Sequence, residues 1–357
     1  MSQEPVYSHS HLWPGVALAL GSAVLFGASA PLSKLLLGTV DPWVLAGVLY
    51  LGAGIGLAVF HFSRGFVGLQ SIEAPLKRSD LPWLAAVIVF GGICGPLLLM
   101  LGLSHTSAST GSLLLNLEGL ATMVIAWVVF RENVDRRLLL GALAILAGAL
   151  LLTWSGGGLQ LDTGALLIAG ACLAWGIDNN LTRKISSADP VQIAMIKGLV
   201  AGTANLGLAL ATGAVLPSGG IVLAGAVVGL LGVGVSLVMF MLSLRHLGTA
   251  RTGAYFSLAP FIGAALALLL LHEPATVTMA AAAVLMGAGL WLHLAERHEH
   301  EHAHEMLEHE HRHIHDQHHH HTHDGPVTEP HSHWHRHEPM RHSHPHYPDL
   351  HHRHEHL

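Results

Sequence analysis

Ten stretches of about twenty mostly apolar residues follow one another between residues 15 and 294. A helix needs about 20 such residues to cross the hydrocarbon core of a bilayer. Inside that core every backbone N–H and C=O must be satisfied within the protein, which restricts such a chain to a bundle of helices. The stretches are 15–37, 42–62, 81–103, 108–130, 137–154, 162–184, 190–212, 220–242, 252–271 and 276–294. Only 11% of the chain is charged and 51% is hydrophobic. A soluble domain carries roughly 25% charged residues, so the polar groups here are too few to cover a surface facing water. The 40 glycines fall mainly within the spans, where small residues let helix backbones approach. The predicted fold class is an all-α membrane protein of ten transmembrane helices, with the lipid bilayer as its first partner.

Basic residues give the bundle a direction. With the N-terminus in the cytoplasm, the loops on that side carry Arg64, Lys77, Arg78, Arg131, Arg136, Arg137, Arg183, Lys184, Arg245 and Arg251, and the other side only Lys34. Loops rich in Lys and Arg stay inside. Both termini of this multi-pass protein of the cell (inner or plasma) membrane are therefore expected in the cytoplasm. Residues 1–14 form a short cytoplasmic N-terminus without the basic n-region of a signal peptide. Cys94 and Cys172 lie in apolar runs and read as buried small hydrophobes. No basic stripe with interleaved aromatics is present, so no nucleic-acid partner is expected. No Walker A, Ser-His-Asp or His-Glu-x-x-His pattern occurs, which argues against an enzyme and against ATP-driven work within this chain.

The two halves repeat. GLSHTSASTGSLLLNLEGLATMVIAWVVFRENV (102–134) aligns with SLRHLGTARTGAYFSLAPFIGAALALLLLHEPA (243–275) at an offset of 141, placing His105 on His246 and Glu132 on Glu273. LFGASAPLSK (25–34) matches AWGIDNNLTR (174–183) at offset 149, and Asp41-Pro42 matches Asp189-Pro190 at offset 148. Each half has five spans, an odd number, so the halves lie upside down relative to one another, the architecture of carriers that alternate access. The stretch LLLNLEGLATMVIAWVVFREN resembles the best-marked helix of the EamA domain, here occurring twice, at 15–154 and 162–294. The resemblance implies a member of the drug/metabolite transporter superfamily, two inverted five-helix EamA repeats, and a small-molecule solute as substrate. Gly119 stands where that family often has proline, although Pro260 keeps it in the second half. Leu49 replaces a basic residue whose counterpart, Lys197, remains.

Ionisable groups within spans are expensive and mark pathways. Glu118 falls near the midplane of the fourth span, with Ser107, Gly111 and Thr122 on the same face of a continuous helix and Asn116 on the adjoining one. It reads either as a substrate or proton site or as a neutral acid bonded to a neighbouring backbone. Asp178 and Lys197 lie at matching depths and can pair; this pair is either a fixed structural contact or, with Asn179 and Asn180, part of the solute path. Lys34 is expected to snorkel to the interface. His105 and His246 read as interface residues, and Glu132 and Glu273 as groups that orient the following helices.

Beyond Leu294 the chemistry changes. Twenty-four of the 31 histidines lie there, with five arginines against twelve acids, so the chain's negative formal charge of −6 arises in this tail. Its apolar content is too low for a core, and residues 295–357 are predicted to be disordered. The His-x-His alternation sets imidazoles on one face of an extended chain, and imidazole with nearby carboxylate suits Zn, Ni, Co or Cu. The ligand candidates are His298, His300, His302, His304, His309, His311, His313, His315, His318, His319, His320, His321, His323, His342, His344, His346, His351 and His352. No resident cofactor is required; metal ions are expected as partners of the tail, and a homodimer is left open.

The reading that results is a secondary-active transporter of a small solute, with export the expected direction and a cytoplasmic tail that binds metal for sensing or delivery. A carrier of divalent metal or metal chelate fed by the tail is the alternative, and a membrane-anchored metal buffer a second. Glu118 is the only carboxylate placed near the midplane. That favours an organic solute or a chelate over a bare ion.

Overall fold

The structure, a computed structural model, describes residues 13–66, 75–130, 136–153, 162–185, 188–294 and four tail segments, 298–304, 307–313, 331–337 and 340–346. The first half comprises α1 (Trp13–Leu37), α2 (Pro42–Phe66), α3 (Leu81–Val87), a π-turn (Ile88–Cys94), α4 (Gly95–His105), α5 (Ala108–Leu114), α6 (Leu117–Phe130) and α7 (Arg136–Leu152). The second comprises α8 (Thr163–Thr182), α9 (Pro190–Ala211), α10 (Gly219–Gly229), a π-turn (Leu230–Val235), α11 (Ser236–Phe256), α12 (Ala259–Leu270) and α13 (Val277–Leu294). Among the described residues, seven helical stretches are long and apolar enough to cross a membrane. Three others fall short for local reasons. α7 and α13 are brief, with 17 and 18 residues, and α8 carries Asp178, Asn179 and Asn180 in its last turns.

Helix starts are fixed by the residues that repeat. Asp41 and Asp189, each before a proline, accept the amides of Trp43 and Val191 at 2.8 Å. A carboxylate N-cap followed by proline at the first helical position satisfies the free amides with a preset φ. α11 doubles back on itself. A straight helix would hold Phe240 and Phe256 about 24 Å apart, yet their ring centroids are 4.8 Å apart, and the Ser243 and Thr252 hydroxyls bond at 3.0 Å. The segment is thus a tight hairpin whose arms belong to consecutive spans.

Packing follows the repeat. α2 lies against its mate α9, and α7 against its mate α13. α1 packs on α11 and α12, as α8 packs on α4 and α6. Small residues permit these contacts: a Cβ on Gly198 of α9 would stand 2.7 Å from the Gly54 Cα of α2, a separation only glycine tolerates. The offset of 141 carries the first π-turn onto 229–235, and the second π-turn occupies Leu230–Val235. Each packs on the first helix of the other half, α8 and α1 respectively.

In the tail, β1 (His298–His304) pairs antiparallel with β4 (Met340–His346), and β2 (Leu307–His313) with β3 (His331–His337). The composition predicts no regular structure there. Over these segments the backbone is instead extended and paired, matching the two-residue period of the His-x-His pattern.

Candidate functional site

The fourth span is broken. Between α5 and α6 the amides of Leu115, Asn116 and Glu118 bond three residues back instead of four, so α6 restarts just before Glu118. That break changes the helical phase on which the predicted Ser107–Gly111–Glu118–Thr122 stripe depends. Ser107 instead caps α5, its Oγ accepting the Thr110 amide at 3.2 Å. Glu118 meets α8: the Asn179 amide donates to Glu118 Oε1 at 2.9 Å and to Thr122 Oγ1 at 3.2 Å. The Thr122 hydroxyl donates to the Glu118 carbonyl at 2.9 Å. Asn180 donates to the carbonyls of Thr122 (3.1 Å) and Gly176 (2.8 Å). Asn116 does not join them; buried, it donates to the Leu113 carbonyl at 2.8 Å and touches Met286 Sδ in α13.

The predicted ion pair is present. Lys197 Nζ lies 2.5 Å from Asp178 Oδ2, with both side chains under a tenth exposed. Each ion loses several kcal/mol of hydration at such a position, roughly offset by the partner and by added hydrogen bonds; Thr182 Oγ1 donates to Asp178 Oδ1 at 3.3 Å. The pair fits because of the first π-turn. A Cβ on Gly91 would fall on the Asp178 carboxylate and 2.6 Å from Lys197 Nζ. A π-turn also leaves backbone carbonyls without their α-helical partners. The Gly91 carbonyl accepts from Tyr50 Oη (2.8 Å) and Trp175 Nε1 (3.0 Å), and that of Gly92 from Asn205 Nδ2 (3.2 Å). Sequence reasoning missed Tyr50, Gly91, Trp175 and Asn205. The only hint of them was the Gly91-Gly92 pair inside an apolar run.

The repeat shows that this polar cluster occurs once. At offset 149 Asp178 corresponds to Ser29, and at offset 148 Lys197 corresponds to Leu49. Gly232, the mate of Gly91, packs against Ser29. Two buried acceptors, Asn180 Oδ1 and Asn205 Oδ1, have no partner among the described residues.

At the loop end of the bundle that holds 106–107 and 271–276, Lys34 differs from its expected role. Its ammonium turns inward and donates to the carbonyls of Leu103 and, at 2.8 Å, Thr106, closing the C-terminus of α4. Glu273 accepts the amides of Ala108 (2.8 Å) and Ser109 (2.9 Å) at the start of α5. It therefore orients a helix of the other half rather than the one following it. Glu132 lies outside the described residues. Cys172 is buried and Cys94 half-buried, both as free thiols.

Of the predicted metal ligands, His298, His300, His302, His304, His309, His311, His313, His342, His344 and His346 lie on the described strands. The register sets His298 opposite His346, His300 opposite His344 and His302 opposite His342. In the second ladder His309 faces position 335 and His311 faces position 333, both histidines. His315, His318, His319, His320, His321, His323, His351 and His352 lie outside the described residues.

A bundle of apolar helices with duplicated packing and a polar cluster at the broken fourth span defines a multi-pass membrane transporter. The chain belongs to the EamA-like transporter family, which matches residues 13–154 and 162–295. It is 28% identical over 281 residues to an uncharacterized transporter of Methanothermobacter thermautotrophicus, covering 74% of this chain and 81% of that protein. It is 23% identical over 266 residues to the uncharacterized transporter YyaM of Bacillus subtilis, covering 69% of this chain and 82% of that one. A crystal structure at 19% identity superposes with a TM-score of 0.57 over 78% of this chain and 96% of its own, a likeness of fold.

Proposed function

We propose that the protein is a secondary-active carrier of a small solute, built from ten spans in two inverted repeats, with both termini in the cytoplasm and export as its direction. The observation that carries this reading is the cluster on the broken fourth span. Glu118, Thr122 and Asn179 converge there beside the Asp178–Lys197 pair, at a place where the repeat counterparts of the charged pair, Ser29 and Leu49, are uncharged. Discontinuous helices with polar groups at the repeat interface are where carriers bind solute. Asn179 is exposed although its neighbours Asp178 and Asn180 are buried. An asparagine bonded to a glutamate is costly against lipid, so this face lines a water-filled path. The unpartnered Asn180 and Asn205 oxygens add acceptors near it. The α11 hairpin separates two of the seven clear spans, and α7, α8 and α13 raise their number to ten. Glu118→Gln removes the charge while keeping the shape; transport is lost if this carboxylate handles the solute or a coupled proton, and full activity would remove that role.

The tail serves metal. Cross-strand histidine positions, with carboxylates between them, provide repeated nitrogen ligands for Zn, Ni, Co or Cu. Among the described residues, no group of three or more His, Cys, Asp or Glu converges on a metal site. Twenty-four histidines in the tail, against Glu118 as the one carboxylate in the fourth span, favour a tail that senses or delivers metal over a body that conducts it bare. Deleting 298–357 and measuring cellular metal content and metal tolerance tests the link; unchanged values for every metal would sink it.

A further inference from the structure

We propose that Glu273 is a latch that holds one end of the bundle shut, and that its release opens that end. The inference rests on the alternating-access reading above. Glu273 lies in the connection between α12 and α13, and both its carboxylate oxygens bind amides of α5, 165 and 164 residues away. Ser107 caps only the Thr110 amide of α5, so the Ala108 and Ser109 amides depend on Glu273, a residue of the other half. The bidentate contact thus ties spans from opposite halves of the chain.

Two further features lie beside the contact. His272, immediately before it, has φ of +52°, a left-handed conformation that costs a non-glycine residue about 1 kcal/mol or more. His272 follows the C-cap Leu271, so this conformation ends α12 and turns the chain into the connection that carries Glu273. Beside the contact lies a cavity of about 330 Å³ lined by Ser107, Ser109, Thr110, Glu273, Thr276 and Met279. Lys34 pins the joint from its other side, so a cation meets the carbonyl end of α4 and an anion the amide end of α5. Each sign is the favourable one for its helix end. From α5 the chain runs through the tight turn at 115–116 into the first turn of α6 and Glu118. Releasing Glu273 therefore frees the segment that carries the candidate path residue.

The test uses the full chain in cells, with Cys94→Ala and Cys172→Ala as background. Ser109→Cys reports one end, Asn179→Cys the other, and Thr39→Cys, on an exposed loop, reports insertion. Labelling is by a membrane-impermeant maleimide, applied to intact cells and to inverted vesicles. Glu273→Ala should speed labelling at position 109 about tenfold, the size expected for a lost charge-assisted contact, and slow labelling at position 179 several-fold. Glu273→Gln, which keeps an acceptor oxygen without the charge, should fall between and decides the matter if Glu273→Ala fails to insert. Unchanged rates at position 109 would overturn the latch. Faster labelling at 109 with no slowing at 179 would make Glu273 a local cap and equally overturn it, leaving the carrier reading intact. Labelling of 109 and 179 from the same side would overturn the carrier reading itself.

Discussion

Replacing Gly91 with alanine tests how closely the first π-turn and the buried ion pair are built together. The new Cβ would fall on the Asp178 carboxylate and 2.6 Å from Lys197 Nζ. Neither group can withdraw cheaply, because both are nearly buried and, once parted, each is a charge without compensation. Breaking a buried pair costs about 3–5 kcal/mol, and alanine's helix propensity offsets about 1 kcal/mol. The expected net loss is about 2–4 kcal/mol. Gly207→Ala in α9 is the matched control, since no atom lies within 4 Å of its Cβ position; it should be neutral or gain up to about 1 kcal/mol. Unfolding in mixed micelles, followed by tryptophan fluorescence, measures both, with Trp175 reporting from the site. In an Asp178→Ser background the added cost of Gly91→Ala should shrink below about 1 kcal/mol, the signature of direct coupling. An equal cost in both backgrounds, or Gly91→Ala as stable as Gly207→Ala, would refute the packing argument.

Other consequences are as direct. Asp178→Asn alone should cost about 3–5 kcal/mol by stranding Lys197, whereas Asp178→Asn with Lys197→Met should cost distinctly less, read in the same unfolding assay. Tyr50→Phe removes one bond to the Gly91 carbonyl and should cost about 1–2 kcal/mol; no change would mean that this carbonyl finds another donor. Glu118→Gln keeps its contact with Asn179 and should alter stability by less than about 1 kcal/mol while abolishing transport. The full-length protein should bind several Zn or Ni ions in calorimetry, reversed by chelator, and a chain lacking 298–357 should bind none with unchanged unfolding of the helices. Metal binding retained after that deletion would place the sites in the body.

What the sequence revealed, and what it hid, divides by the range of the interaction. Spans were legible because a twenty-residue apolar run has one physical use, and the repeat because His105, Glu132 and Asp41-Pro42 recur at nearly fixed offsets. The Asp178–Lys197 pair was legible from matched depth alone. The break at 115–116 was not, since no proline marks it and Gly119 is common in any span. A continuous helix sets Ser107 and Asn116 near Glu118, whereas the break leaves Ser107 capping the start of α5 and turns Asn116 towards α13. The position of Lys34 at a helix end predicts snorkelling, because sequence alone does not show that α4 presents its carbonyls within reach. The π-turns leave no pattern in hydropathy; only the clamps supplied by Tyr50, Trp175 and Asn205 reveal the first of them.

In the proposed function this chain moves a small solute along a path that uses Glu118. The direct test is an untargeted profile of small molecules inside and outside cells that lack the gene, express it, or express Glu118→Gln at equal level. At least one solute should show a distribution across the membrane that follows the intact protein and reverts to the gene-deficient pattern with Glu118→Gln. A profile identical in all three, or one in which Glu118→Gln matches the intact protein, would contradict it.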